Sequence, residues 1–169
     1  QIESVLTDFK IDGIKIGMVF NSEIIKTLYQ QLKKLKIPIV VDPVIKSTTG
    51  GALIENKAIK DFQKYIIPLA TIITPNKFEA EILSKSKVNS KNTIEKIAKN
   101  IQKMGAKNVV ITGIEGKNNK ITDFILEKST KYLISGDRIG ITNHGSGCNY
   151  SAAMIFAISN KKTIRESVK

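Results

Sequence analysis

The sequence is short of thiol chemistry: its 169 residues include one cysteine, Cys148. A lone cysteine excludes an internal disulfide framework, and Cys148 lacks the company of soft ligands that a zinc site needs. Arginine is almost as scarce, at Arg138 and Arg165 only. That argues against a dedicated reader of nucleic-acid backbones, which exploits bidentate guanidinium forks. No apolar run approaches the roughly eighteen residues that a membrane-spanning helix needs, and no charged-then-apolar leader is present. The expectation is a soluble protein of a reducing, cytoplasmic setting, with neither membrane nor nucleic acid as a partner.

Lysine, by contrast, is abundant. Lys and Arg total 27 against 15 Asp and Glu, a formal net charge of +12 at pH 7. Such a balance would suit nucleic acid if the cations formed one face with interleaved aromatics, but they are scattered along helices and loops. The densest groups, Lys33-Lys34-Leu35-Lys36 and Lys161-Lys162, each close a predicted helix. Cations there suit the helix dipole. The length fits one domain with a real core.

Periodicity organises the chain. Gln1 to Phe9 reads as a helix end with Ile2, Val5, Leu6 and Phe9 on one stripe. Ile14 to Gly17 reads as a short strand, Ser22 as an N-cap, and Glu23 to Lys36 as an amphipathic helix. The pattern then repeats: strand 38–41 and a helix near 56–66, strand 70–73 and helix 76–84, helix 92–104 and strand 108–111. Alternation of this kind predicts right-handed βαβ units and a parallel sheet. Ile121 to Leu126 and Lys131 to Ile134 then read as a hairpin at the sheet edge, and Thr163 to Lys169 as the polar start of a further helix.

Three strand or loop ends carry chemistry. Asn143-His144-Gly145-Ser146-Gly147-Cys148 runs straight into the apolar stretch Tyr150 to Ile158. Two glycines around a small hydroxyl residue, set before a helix, leave backbone N–H groups free to face an anion, and the macrodipole adds positive potential there. Thr74-Pro75-Asn76-Lys77-Phe78-Glu79 follows an apolar strand and opens another helix, with Asn76 and Glu79 on one face. Asp42 leaves the run Ile39-Val40-Val41 just as Pro43 stops it. Ligands of open α/β sheets bind at such carboxyl ends, so phosphate handling is the expected chemistry.

Taken in this order, these elements resemble the ribokinase superfamily, and more closely the hydroxymethylpyrimidine/phosphomethylpyrimidine kinases of thiamine biosynthesis. The resemblance runs from Lys15-Ile16-Gly17-Met18 through Val41-Asp42-Pro43-Val44, Ile66-Ile67-Pro68-Leu69-Ala70 and Asn76…Glu79-Ala80 to His144-Gly145-Ser146-Gly147-Cys148. Cys148 is the sharpest discriminator, since most ribokinase-like sugar and pyridoxal kinases carry aspartate there. The resemblance implies a three-layer α/β, Rossmann-like fold over residues 1–169, with a mostly parallel sheet and helices on both faces. It also implies ATP and Mg²⁺ as cofactors, a homodimer, and phosphorylation of 4-amino-5-hydroxymethyl-2-methylpyrimidine and then of its monophosphate.

Residue by residue, Gly145, Ser146, Gly147 and Cys148 match the anion hole, with Cys148 also at the position that activates the substrate hydroxyl. Asn76, Glu79 and Asp42 match residues that hold magnesium through water near the phosphates. Asp42, Asn76, Thr112 and Gly113 match the phosphate and nucleotide region, although the pyrimidine kinases often carry lysine where this chain has Thr112. Capping of the following helices is the plain structural use of Asp42 and Asn76. Met18 matches a residue that packs on the pyrimidine ring, while core packing is its plainer use. His144 matches a loop-shaping position, and Lys46 could add charge from its loop. Family members run beyond both ends of this chain, so the expectation is a fragment with an exposed sheet edge. A pyridoxal/pyridoxine kinase and a catalytically silent phosphate-binding module are the rival readings.

Overall fold

The computed structural model describes residues 1–47, 50–116, 118–139 and 145–168. Six strands, β1 (Ile14–Ile16), β2 (Ile39–Val41), β3 (Ile72–Ile73), β4 (Asn108–Glu115), β5 (Lys120–Glu127) and β6 (Thr130–Asp137), form one sheet in sequence order. β1 to β4 are parallel, and β5 and β6 add an antiparallel hairpin at the far edge. Ile39, Val40 and Val41 are all buried, as are Ile72 and Ile73, which is why these strands read as unbroken apolar runs without alternation.

The helices are α1 (Ile2–Asp8), α2 (Ser22–Leu32), α3 (Ala58–Asp61), α4 (Lys77–Ser84), α5 (Lys91–Lys103), α6 (Ser146–Ser159) and α7 (Ile164–Ser167). A right-handed crossover between parallel neighbours puts its helix on a fixed side, so successive steps in one direction stack their helices on one face. There, residues such as Ile25, Phe62, Leu83, Ile97 and Ile101 form the larger core cluster. The opposite face is covered by α6 and α7, with Val40, Ile72, Val110, Ile125 and Met154 in the second cluster. Helices therefore do cover both faces of the sheet.

Several local expectations are corrected. The first long helix is capped by Asn21, whose side chain accepts from the Ile24 N–H at 2.9 Å, and Ser22 is already helical. That helix ends at Leu32, and Lys33 is its C-cap. The helix expected near 56–66 is one α-turn that widens into a π-turn over Phe62–Ile66 and tightens to a 3₁₀ turn at Ile67–Leu69, where Pro68 withholds an amide. β4 runs four residues past Ile111. The α1 stripe is not a core stripe: Val5 and Phe9 are 48% and 66% exposed, and Leu6 alone of the four packs on the core. The last segment is more than a polar helix start, since Ile164 and Val168 are buried in the second cluster behind a Thr163–Glu166 capping box.

Candidate active site

α6 runs against the direction of the parallel strands. Near its C-terminus the Ser159 hydroxyl donates to the carbonyl of Asp12, just before β1, at 3.1 Å. At its other end Ser151 reaches Asp42, just past β2. The N-terminus of α6, with its positive dipole end, therefore lies at the carboxyl edge of the sheet. Its N-cap is Gly145 at φ +83°, with no side-chain cap. A left-handed backbone there suits glycine. Ser146, Gly147 and Cys148 form the exposed first turn, so their N–H groups have no partner within the helix. Cys148 is a free, exposed thiol among them. His144 and Asn143 lie outside the described residues, as do Thr48 and Thr49 of the loop after Lys46.

Asp42 is only 5% exposed. Its Oδ2 lies 3.1 Å from the Ser151 hydroxyl and 3.5 Å from Lys15 Nζ on β1. The same hydroxyl lies 3.0 Å from the Cys148 carbonyl, and its single proton serves one acceptor at a time. Asp42 thus caps no helix. It joins β1, β2 and the start of α6, replacing the capping use expected for it.

Asn76 does cap. Its Oδ1 accepts from the Glu79 N–H, and Glu79 Oε2 accepts from the Asn76 N–H, both at 2.9 Å, closing a capping box on α4. Glu79 Oε1 also accepts from the Ile45 N–H at 3.4 Å, which ties α4 to the segment after β2. Glu79 is buried, and that burial pushes its carboxyl up to about 7 against the pull of the two N–H bonds, with the charge of Asp42 adding to the rise. Asn76 also bridges in parallel to Thr112, whose N–H donates to the Pro75 carbonyl at 2.9 Å.

Thr112 and Gly113 form a β-bulge. Ile111 pairs with Phe124 and Ile114 with Thr122, so two residues of β4 face only Asp123. Gly113 takes φ +69°, and its N–H is spent on Asp123 Oδ1 at 3.0 Å. Asp123 Oδ2 in turn accepts from the Tyr150 hydroxyl on α6 at 3.0 Å. Burial raises the Asp123 carboxyl above its ordinary value. Burial, with the charge of Asp123 beside it, likewise raises the Tyr150 phenol.

The sequence-predicted residues Asp42, Asn76, Glu79, Thr112, Gly113 and Gly145 to Cys148 are therefore linked at one edge of the sheet by this chain of bonds. Met18 departs from expectation: at 58% exposed it is no core residue. Lys46 stacks its Nζ 4.9 Å from the Phe78 ring centre. Lys15, Asp123, Tyr150 and Ser151 were missed, and no short-range signal marks them; Ser151 and Asp42 are 109 residues apart.

A family model described as phosphomethylpyrimidine kinase matches residues 1–169. The chain belongs to the phosphomethylpyrimidine kinase family. It is 33% identical to a hydroxymethylpyrimidine/phosphomethylpyrimidine kinase of Aquifex aeolicus, over all of this chain and 67% of the relative. A relative of the same name from Haemophilus influenzae is also 33% identical, over 100% of this chain and 65% of its own length. Among solved structures, a Staphylococcus aureus pyridoxal kinase in complex with ADP superposes with a TM-score of 0.87 at 34% identity, over 99% of this chain and 62% of that one. A phosphomethylpyrimidine kinase from Clostridium difficile superposes with a TM-score of 0.83 at 31% identity, over 99% and 68%. These structures confirm the ribokinase-like α/β fold. The chain spans 59–67% of the length of the first three curated relatives it matches. No helix among the described residues is long and apolar enough to cross a membrane.

Proposed function

We propose that the protein to which this chain belongs transfers the γ-phosphate of ATP to the hydroxymethyl group of 4-amino-5-hydroxymethyl-2-methylpyrimidine, and then phosphorylates the monophosphate. The observation that carries this reading is the uncapped first turn of α6 beside the buried Asp42, with Ser151 touching both Asp42 and the Cys148 carbonyl. In-line phosphoryl transfer leaves the protein mainly positioning and electrostatic stabilisation to supply. The amides of Ser146, Gly147 and Cys148 supply donors for the transferring group. The Cys148 thiol orients the acceptor hydroxyl; orientation is its main contribution, since a thiol is a modest base. Met18, exposed on the loop after β1, is free to lie on the pyrimidine ring.

The residues present fit magnesium. Among the described residues no group of three or more His, Cys, Asp or Glu side chains is suited to a metal, but Mg²⁺ keeps several waters and needs only one or two carboxylates plus phosphate. Asp42 and Glu79 provide these, with Asn76 beside them. When bound, the ion would neutralise charge on the phosphates. The ADP complex of the S. aureus pyridoxal kinase supports nucleotide use, and that likeness keeps a pyridoxal kinase as the second reading. The chain is read as the greater part of one kinase domain. A cytoplasmic homodimer goes with this reading by resemblance, and sedimentation of the extended protein tests the dimer.

The deciding experiment follows ATP-to-ADP conversion with Mg²⁺ and hydroxymethylpyrimidine, on this chain and on a version extended at both ends, with pyridoxal as competitor. Turnover in the extended protein that prefers the pyrimidine supports the reading. Preference for pyridoxal transfers it to the second reading, and nucleotide binding without turnover leaves a phosphate-binding module.

A further inference from the structure

The bulge in β4 and the second turn of α6 are held by one carboxylate. Asp123 stands opposite Thr112 and Gly113 in the strand register, takes the Gly113 N–H on Oδ1 and takes the Tyr150 hydroxyl on Oδ2, each at 3.0 Å. Thr112 in turn donates to Pro75 and bridges to Asn76, the cap of α4. A continuous set of bonds thus runs from the capping box of α4, through the bulge, to the helix whose first turn presents Ser146, Gly147 and Cys148. One residue further on, Ser151 ties the same helix to Asp42, just past β2. α6 is tethered at consecutive positions to β5 and to the segment that leaves β2.

We propose that Asp123 is a positioning residue, clamping the β4 bulge to α6 through Tyr150 so that the phosphate-facing amides hold a fixed setting relative to Asn76 and Thr112. This rests on the kinase reading above. Asp123 forms no ion pair among the described residues. A half-buried carboxylate without a cation is held at some loss, and that loss is offset if its neutral donors are good ones and their geometry is needed. Phenylalanine at 150 would fill the same space without drawing a carboxylate inward. The raised proton affinities of both groups agree with a bond partly shielded from bulk water. The Gly113 N–H is also withdrawn from nucleotide contact, so the contribution of this bulge is to hold its neighbours.

The test uses Tyr150→Phe, Asp123→Ala, the double variant and Asp123→Asn in the extended enzyme. Apo melting temperature, kcat and KM for ATP and for the pyrimidine are read separately. The expected result for Y150F is a melting temperature near that of the parent and kcat/KM for ATP about tenfold lower, the worth of one positioned hydrogen bond, with pyrimidine KM unchanged. D123A loses at least as much, the double variant loses no more than D123A, and D123N, which keeps an acceptor for Gly113 and offers an N–H to the phenol oxygen, recovers most of it. Additive losses, or variants that melt earlier with unchanged kinetics per folded molecule, would overturn the clamp. If the unsubstituted enzyme shows no turnover, the kinase reading fails on that measurement alone. ADP affinity by calorimetry then decides the clamp: weakening of about tenfold in Y150F supports it, and equal affinity refutes it.

Discussion

Glu79→Gln separates the chemistry of the buried carboxylate from the architecture around it. In the native protein Glu79 holds its proton up to about 7, against an ordinary value of 4.5, chiefly because it is buried. The unfolded chain releases that proton near 4.5, so between these two values the native state binds more protons than the unfolded state, and stability falls as pH rises. The full cost above pH 7 is about 3 kcal/mol, at 1.36 kcal/mol for each tenfold change in proton affinity. Between pH 5 and pH 8 the part of it that appears is about 2.5 kcal/mol.

Glutamine removes this slope and adds a constant penalty. Its amide oxygen can accept the Asn76 N–H, but its NH₂ group then meets the Ile45 N–H, two donors face to face where Glu79 offered an acceptor. That mismatch costs about 1–2 kcal/mol. The two stability curves must therefore cross, with the parent more stable at pH 5 and E79Q more stable at pH 8. Urea unfolding of both proteins at half-unit pH steps reads this directly, and the difference between them cancels the titrating groups that do not interact with Glu79, Asp123 among them. Excess Mg²⁺ should flatten the parent's curve and leave that of E79Q unchanged. A difference between the two proteins that stays level from pH 5 to pH 8 would refute both the raised proton affinity and the burial assigned as its cause.

Gly147→Ala asks how closely a ligand approaches α6. A Cβ there meets nothing within 4 Å, so the melting temperature should hold or rise with the better helix former, while ADP affinity by calorimetry falls; equal affinity would place the phosphate away from this backbone. Gly105→Ala meets the opposite situation, since φ is +117° and the new Cβ would sit 2.9 Å from Pro68 Cα; a loss of more than about 1 kcal/mol in urea unfolding is expected. Ser90→Ala removes the oxygen that accepts the Thr93 N–H at 3.2 Å at the start of α5, and the unfolding free energy should drop by about 1 kcal/mol.

The features legible in the sequence are those that a short stretch of chain decides for itself. Ile39-Val40-Val41, stopped by Pro43, reads as a buried strand, Asn76…Glu79 is a local capping box, and Gly145 supplies the left-handed residue that starts α6. The features missed depend on partners distant in sequence. Lys15 and Ser151 matter because Asp42 lies between them, and Asp123 because a bulge leaves Gly113 facing it. Asn21 and Ser22 are equally good caps by composition, and only the turn of the chain selects between them. Met18 carries a core-like side chain on a loop that turns outward.

Backbone direction accounts for this division. With β1 to β4 laid down in order and their crossovers on one face, the other face is left for α6, which returns against the strands. That direction alone brings a helix N-terminus to the edge where Asp42 and Asn76 leave the sheet and Thr112 begins the bulge of β4. Anion-binding capacity then resides in main-chain amides, and the sequence need only keep glycine where the backbone demands it. The side chains of the edge have a different task. Ser151, Tyr150, Asp42 and Asp123 fix the height and rotation of α6 against two strands, and a helix held by two such ties can be displaced by losing either one. Loss of function through these residues is accordingly expected to precede loss of fold, the reverse of what a core substitution such as Ile101→Ala would do, since Ile101 is fully buried in the larger cluster and its truncation costs about 2–5 kcal/mol before any catalytic group is touched.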